Sequence, residues 1–242
     1  MTSLQENLHM VQQRIATQCA ASGRDPRSVQ LLAVSKTFAL SAVLEAHQAG
    51  QQHFGENYIQ EGVEKISACR ARPDCADLVW HCIGPIQSNK TRLVATHFDW
   101  VHTVDRLKIA QRLSEQRPPD MPPLQICIQV NIDGGANKAG MAPAEALAFG
   151  REVAALPRLR LRGLMTIPEP APDYAHALAV HQSAKDLWDQ LRAAGLEMDT
   201  LSMGMSADLE AAVQAGSTLV RVGSAIFGGR AVRGAATTPA PQ

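Results

Sequence analysis

Three short segments carry residues whose types suit one kind of chemistry. In Ala33-Val34-Ser35-Lys36-Thr37 a lysine follows an apolar run. An amine at the tip of such a strand is partly desolvated, which disfavours its charge and leaves it able to condense with a carbonyl compound as a Schiff base. A solvated end-of-strand lysine has the same local sequence, so Lys36 alone specifies little. Gly204-Met205-Ser206 and Gly223-Ser224-Ala225 also follow short apolar runs. Glycines let a backbone approach an anion, while hydroxyls and helix-start amides donate to its oxygens. Ordinary Gly-Ser turn chemistry is the competing reading of each loop. The three segments act together only if the fold brings them to one place.

The apolar pattern alternates between short runs and longer helical periods. Residues 29–35, 52–55, 78–83, 100–104, 124–130, 161–167, 200–203 and 219–222 read as strands. Helical periods follow at 40–49, 58–69, 87–96, 106–116, 143–156, 173–194 and 207–215, and the helix after the last strand is at most a turn or two. Eight strands alternating with helices predict a parallel sheet closed into a single (β/α)8 TIM barrel, with a doubly wound open sheet as the alternative. An additional N-terminal helix, with Leu4, Leu8, Val11 and Ile15 on one stripe, is placed to cover the gap left by the short eighth one. The barrel is read as one domain over residues 1–230, and 231–242 as a flexible tail with too few large apolar groups to pack.

Composition narrows the classes. The 242 residues include 23 Lys plus Arg and 23 Asp plus Glu, so no net charge points to nucleic acid or an anionic membrane. No apolar run approaches the roughly 20 residues of a membrane span, and the first residues lack the basic-then-apolar order of a secretory signal. Five scattered cysteines without a C-x-x-C pair read as reduced thiols of a cytoplasmic protein, with neither a disulfide framework nor a metal site.

In a closed barrel the first and eighth strands are neighbours, and phosphates commonly sit after strands seven and eight. A phosphate held by the two glycine-serine loops then lies within one small molecule's length of Lys36. An aldehyde carrying a phosphate suits both features, and pyridoxal 5'-phosphate (PLP) is such a molecule.

The stretches LLAVSKT, HFGENYIQEG, WHCIGPIQSNK, VHTVDRLKIAQRL, IQVNIDGGANKAGM, RGLMTIP, LSMGMSADLEAA and GSTLVRVGSAIFG carry a resemblance over about residues 29–229. The chain resembles the pyridoxal phosphate homeostasis proteins. The resemblance implies a single barrel like the N-terminal domain of alanine racemase, a Schiff-base lysine at Lys36, and phosphate contacts at Ser206, Gly223 and Ser224. It also implies that Arg221 approaches the pyridine nitrogen, where a guanidinium opposes ring protonation and makes the coenzyme a poorer electron sink. Without it, Arg221 reads as a strand-end arginine paired with a surface carboxylate.

Asn57, after the second strand, is placed to touch the ring hydroxyl or the imine. Met203 and Met205 offer soft apolar walls or ordinary packing. His81 faces the mouth or is a satisfied core histidine, with the core reading favoured. Lys138 closes over the coenzyme or is a solvated loop lysine. The family often carries a second lysine two residues beyond the Schiff-base one; here that position is Phe38, which leaves a relay through it without its amine.

These readings predict a PLP-binding homeostasis protein with no catalytic residue of its own, a monomer that stores PLP or delivers it to apo-PLP enzymes. The alternative is a PLP-dependent amino-acid racemase. That chemistry needs an acid/base on each face of the substrate, and Tyr58 and Tyr174, the two tyrosines, fall in helical stretches rather than at strand ends. A coenzyme-free Schiff-base aldolase using Lys36 and Glu56 ranks last.

Overall fold

The computed structural model describes residues 3–135 and 139–229. Eight parallel strands close in chain order: β1 (Gln30–Val34), β2 (His53–Glu56), β3 (Val79–Cys82), β4 (Trp100–Val104), β5 (Leu124–Gln129), β6 (Leu159–Met165), β7 (Thr200–Ser202) and β8 (Leu219–Val222). α1 (Leu4–Ala21) precedes them. The helices that follow are α2 (Leu40–Gln48), α3 (Ile59–Arg70), α4 (Thr91–His97), α5 (Leu107–Gln116), α6 (Ala146–Ala154), α7 (Tyr174–Ala193), α8 (Leu209–Ala215) and the single-turn α9 (Ser224–Phe227). The ladder returns from β8 to β1 with Leu32 opposite Arg221 and Ala33 opposite Val222, so the sheet has no free edge and the open doubly wound alternative is ruled out. Residues 231–242, read above as a tail, lie outside the described residues.

The pattern places β4 and β8 to the residue, whereas β6 starts two residues earlier than expected. Leu159 pairs with Leu124 and Arg160 with Gln125, so the ladder with β5 recruits a stretch whose arginines make it look like a loop. At its far end Thr166 still donates to Ser202 O at 3.1 Å, and Pro168 follows, which has no backbone N–H to extend a ladder.

α1 begins with a reciprocal cap: Ser3 N donates to Glu6 Oε2 at 2.7 Å and Glu6 N to Ser3 Oγ at 3.2 Å. Its stripe of Leu8, Val11, Ile15 and Cys19 is buried, and the helix packs on α2, α8 and α9. Asn7 Nδ2 donates to Ile226 O of α9 at 3.0 Å, and Arg14 pairs with Glu210 of α8 at 2.7 Å. The first helix therefore does cover the short eighth one.

Alternation along the strands divides the core in two. A large shell, including Leu31, Ala33, Phe54, Trp80, Val101 and Ile126, lies between strands and helices. A separate small cluster of Leu32, Val34, Ile83 and Leu219 fills one side of the barrel interior. No helix among the described residues is long and apolar enough to cross a membrane.

Candidate functional site

Beyond β1 the chain turns sharply. Ser35 N donates to Gly55 O at 3.0 Å, continuing the ladder with β2, and Ser35 O accepts from Phe38 N at 3.1 Å. Lys36 and Thr37 are thus the central residues of a tight turn, and Thr37 has φ +68°. Glycine or asparagine is usual at such a position; a β-branched residue there costs on the order of 1–3 kcal/mol and persists only where neighbours hold it. Thr37 N donates to Glu61 Oε1 at 2.7 Å, and Lys65 Nζ donates to Ser35 O at 2.8 Å, to Glu56 Oε1 at 2.8 Å and to Glu61 Oε1 at 2.7 Å. Ser35 Oγ adds a bond to Glu56 Oε1 at 2.6 Å. Burial pushes the Glu56 carboxyl up, while Lys65 and Ser35 pull it back.

The two loops at the ends of β7 and β8 are equally fixed. Gly204 has φ +94°, which suits a residue without a side chain, and a Cβ there would stand 2.4 Å from Ala212 Cβ. Beyond it, Met205 N donates to Asp208 Oδ1 at 2.6 Å, Asp208 Oδ2 meets the buried His181 at 2.9 Å, and Arg14 donates to Ser206 O at 3.0 Å. Gly223 lies against β1, where a Cβ would be 3.2 Å from Val34 O. Its carbonyl accepts from Ile226 and Phe227 N, and Ser224 opens the one-turn α9.

These segments surround a cavity of about 480 Å³ at the C-terminal mouth of the barrel. Its polar lining is Lys36, Thr37, Asn57, Ser206, Arg221, Ser224 and the backbone of Gly223, and Val34, Phe38, Ile83, Ile167 and Met205 supply apolar walls. The volume suits a ligand of coenzyme size, with few polar groups among apolar ones. Asn57 Oδ1 is buried and has no hydrogen-bond partner among the described residues, nor has Thr166 Oγ1, whose own carbonyl holds Arg221. An orphaned acceptor, an amine, two hydroxyls and a glycine approach fit an aromatic aldehyde bearing a phosphate. One expectation fails: Met203 does not line the cavity. It is fully buried in the shell: Ser202 before it points into the barrel, so Met203 faces outward, and only the turn at Gly204 brings Met205, 39% exposed, to the mouth.

Arg221 is buried, not paired at the surface. Nη1 donates to Ser202 Oγ and Nη2 to Thr166 O, each at 2.7 Å. Burial lowers its pKa to about 10, which still leaves a cation at neutral pH. Behind it runs a polar chain across the barrel interior: Ser202 Oγ lies 2.9 Å from His102 Nδ1, His102 Nε2 2.8 Å from His81 Nδ1, and His81 Nε2 2.9 Å from His53 Nδ1. Burial holds all three histidines below their usual range, His102 down to about 3 with Arg221 adding to the effect. His81 is therefore a satisfied core histidine.

Glu56 is fully buried behind the turn and is not among the residues lining the cavity. Tyr58 and Tyr174 are 54% and 48% exposed and also lie off it. Phe38 stacks on Phe227 with ring centroids 5.0 Å apart. Lys138 lies outside the described residues. Sequence reasoning missed the Lys65–Glu61 contacts to the Lys36 turn; their one local signal was the Glu61/Lys65 spacing of four on a helix.

Residues 2–231 match the family described as alanine racemase, N-terminal domain. The pyridoxal phosphate homeostasis protein of Vibrio cholerae is 55% identical over 230 residues, 95% of this chain and 98% of that one. That of Escherichia coli K12 is 50% identical, again over 95% of this chain and 98% of the relative. Among solved structures, PipY of Synechococcus elongatus with PLP bound superposes with a TM-score of 0.77 at 38% identity, covering 88% of this chain and all of that one. Alanine racemase of Clostridium difficile has a TM-score of 0.73 at 17% identity, over 94% of this chain and 57% of its own, a likeness of fold alone.

Proposed function

The chain belongs to the pyridoxal phosphate homeostasis protein family, and from that membership we propose that it binds PLP as a Schiff base on Lys36 and stores or delivers it within the cell. The observation that carries this reading is the single cavity into which Lys36, Ser206, Gly223, Ser224, Asn57 and Arg221 converge. When bound, PLP supplies an aldehyde for condensation and an aromatic ring that can accept electrons. The Lys36 amine adds to the aldehyde carbon and water leaves, forming the carbon–nitrogen double bond. Ser206 and Ser224 donate to the phosphate, and Gly223 lets the backbone approach it. Asn57 offers its orphaned oxygen to a hydroxyl of the ring. Arg221, anchored on both Nη atoms, presents positive charge to the pyridine nitrogen and keeps that nitrogen unprotonated.

A carrier is favoured over a racemase by the lining itself. Among the described lining residues there is no tyrosine, histidine or carboxylate that could serve as a second acid/base opposite Lys36. Arg221 also withholds the ring protonation that carbanion chemistry exploits.

The test is to load the purified protein with PLP, reduce it with borohydride and map the pyridoxyl group. It is expected on Lys36, and Lys36→Ala is expected to show no imine absorbance. A pyridoxyl group on another lysine would overturn the assignment. Delivery is tested by mixing the loaded protein with an apo-PLP enzyme in the presence of a trap for free aldehyde; activation that the trap abolishes would show release into solution rather than direct transfer.

A further inference from the structure

The peptide bonds on either side of Lys36 are gripped by one buried cluster. Lys65, 6% exposed, has three ammonium hydrogens and three acceptors: Ser35 O, Glu56 Oε1 and Glu61 Oε1, all within 2.8 Å. The oxygen it holds on Ser35 belongs to the peptide plane entering Lys36. The Thr37 N–H that Glu61 Oε1 accepts at 2.7 Å belongs to the plane leaving it. The φ and ψ of Lys36 are the rotations between those two planes, so fixing both planes fixes the direction of its Cα–Cβ bond. Thr37, at a φ of +68° that its side chain disfavours, is bracketed by the Glu61 bond to its own N–H and by the Phe38 N bond to Ser35 O.

We propose that Lys65 and Glu61 are positioning residues that aim the Lys36 side chain into the cavity by clamping the Ser35–Lys36 and Lys36–Thr37 peptide planes. Lys65, Glu56 and Glu61 are not among the residues lining the cavity. Glu56 and Glu61 hold the Lys65 ammonium, Lys65 holds the entering plane, and Glu61 holds the leaving one. Released from Glu61, Thr37 is free to leave the left-handed region, and the turn that presents Lys36 relaxes. This inference rests on the reading of Lys36 as the amine that takes PLP.

Glu61 is the site for the test, because its side chain is 29% exposed and its loss leaves no buried cavity. Glu61→Ala removes the acceptor of Thr37 N, whereas Glu61→Gln keeps an amide oxygen there. Three quantities are measured on each: urea stability, affinity for pyridoxine 5'-phosphate (which has no aldehyde), and the rate of imine formation with PLP. Glu61→Ala is expected to slow imine formation at least tenfold with pyridoxine 5'-phosphate affinity within about threefold of wild type, and Glu61→Gln to restore most of the rate. Equal loss of both ligands, or an unchanged imine rate in Glu61→Ala, would overturn the proposal. Competitive acetylation read by mass spectrometry follows the Lys36 amine without PLP. A changed Lys36 reactivity in Glu61→Ala, restored in Glu61→Gln and unmatched at other lysines, supports the clamp even if the wild-type pyridoxyl group maps elsewhere; unchanged reactivity removes it.

Discussion

Arg221 Nη1 lies 2.7 Å from Ser202 Oγ, and this one contact sets the direction of every hydrogen bond behind it. A guanidinium only donates, so Ser202 accepts from it and has its own hydrogen to give to His102 Nδ1. His102 then carries its proton on Nε2 and donates to His81 Nδ1, and His81 likewise donates from Nε2 to His53 Nδ1. The reverse direction would leave the serine hydrogen buried without an acceptor among the described residues. Nitrogen-15 NMR of labelled imidazoles is expected to find His81 and His102 neutral and protonated on Nε2 near neutral pH. An Nδ1–H signal from either would break the chain of inference at Ser202.

The same burial predicts the pH dependence of stability. His102 is held down to about 3 and His81 well below the ordinary 6.5. Above that ordinary value both are neutral whether folded or unfolded. Below it the unfolded chain takes up protons that the folded chain refuses, so stability falls as pH drops from 6.5 towards about 3. Each histidine contributes up to about a tenfold loss in the folding equilibrium per pH unit. Glu56 and Asp99, pushed up by burial, act in the opposite sense and offset part of the slope. Urea midpoints are expected to fall between about pH 6.5 and about pH 5, above the ordinary carboxylate range. A flat profile there would mean that the interior histidines already carry protons.

What could be read from the chain follows the range of the physics involved. Barrel closure was legible because eight apolar runs separated by helical periods are a local, repeated signal, and Lys36, Ser206, Gly223 and Ser224 because each stands at the end of such a run. Lys65 and Glu61 lie more than 20 residues along the chain from the turn they hold, and only the pairing of β1 with β2 brings α3 behind it. His81 was legible as a core residue; its link to His53 and His102 was not, because it depends on the side-by-side register of β2, β3 and β4. Met203 was misplaced for a different reason. Residues two apart continue on one face only while the strand runs on, and β7 ends at Ser202.

Ser206 and Ser224 reach the cavity from two different loops, so their contributions to phosphate binding should be separable. Each hydroxyl is worth on the order of 1 kcal/mol as a donor to an anion, somewhat more where water is excluded. Ser206→Ala and Ser224→Ala are each expected to weaken PLP retention by about fivefold or more. Their thermal midpoints should remain near wild type, since neither hydroxyl is bonded within the described fold. Equilibrium dialysis of the two variants, with unchanged PLP affinity in both, would remove these serines from the site.

Gly223 ties the two ends of the proposed ligand together. A Cβ at this position would stand 3.2 Å from Val34 O and 3.4 Å from Val34 Cβ, tight enough that β1 must give by a few tenths of an ångström. Val34 is two residues before Lys36, so the displacement falls on the strand end that presents the amine as well as on the backbone approach to the phosphate. Gly204 differs in kind: at φ +94° and 2.4 Å from Ala212 Cβ, an added methyl strains the loop and drives into α8. Gly204→Ala is therefore expected to lower the melting temperature by several degrees, on the order of 1–3 kcal/mol of stability. Gly223→Ala is expected to fold with a smaller loss of stability while losing about tenfold or more in PLP affinity, a misplacement effect at the ligand. The comparison is decided by measuring melting temperature and PLP affinity on both variants. Equal losses of stability with full PLP affinity in Gly223→Ala would mean that the backbone at β8 does not approach the ligand.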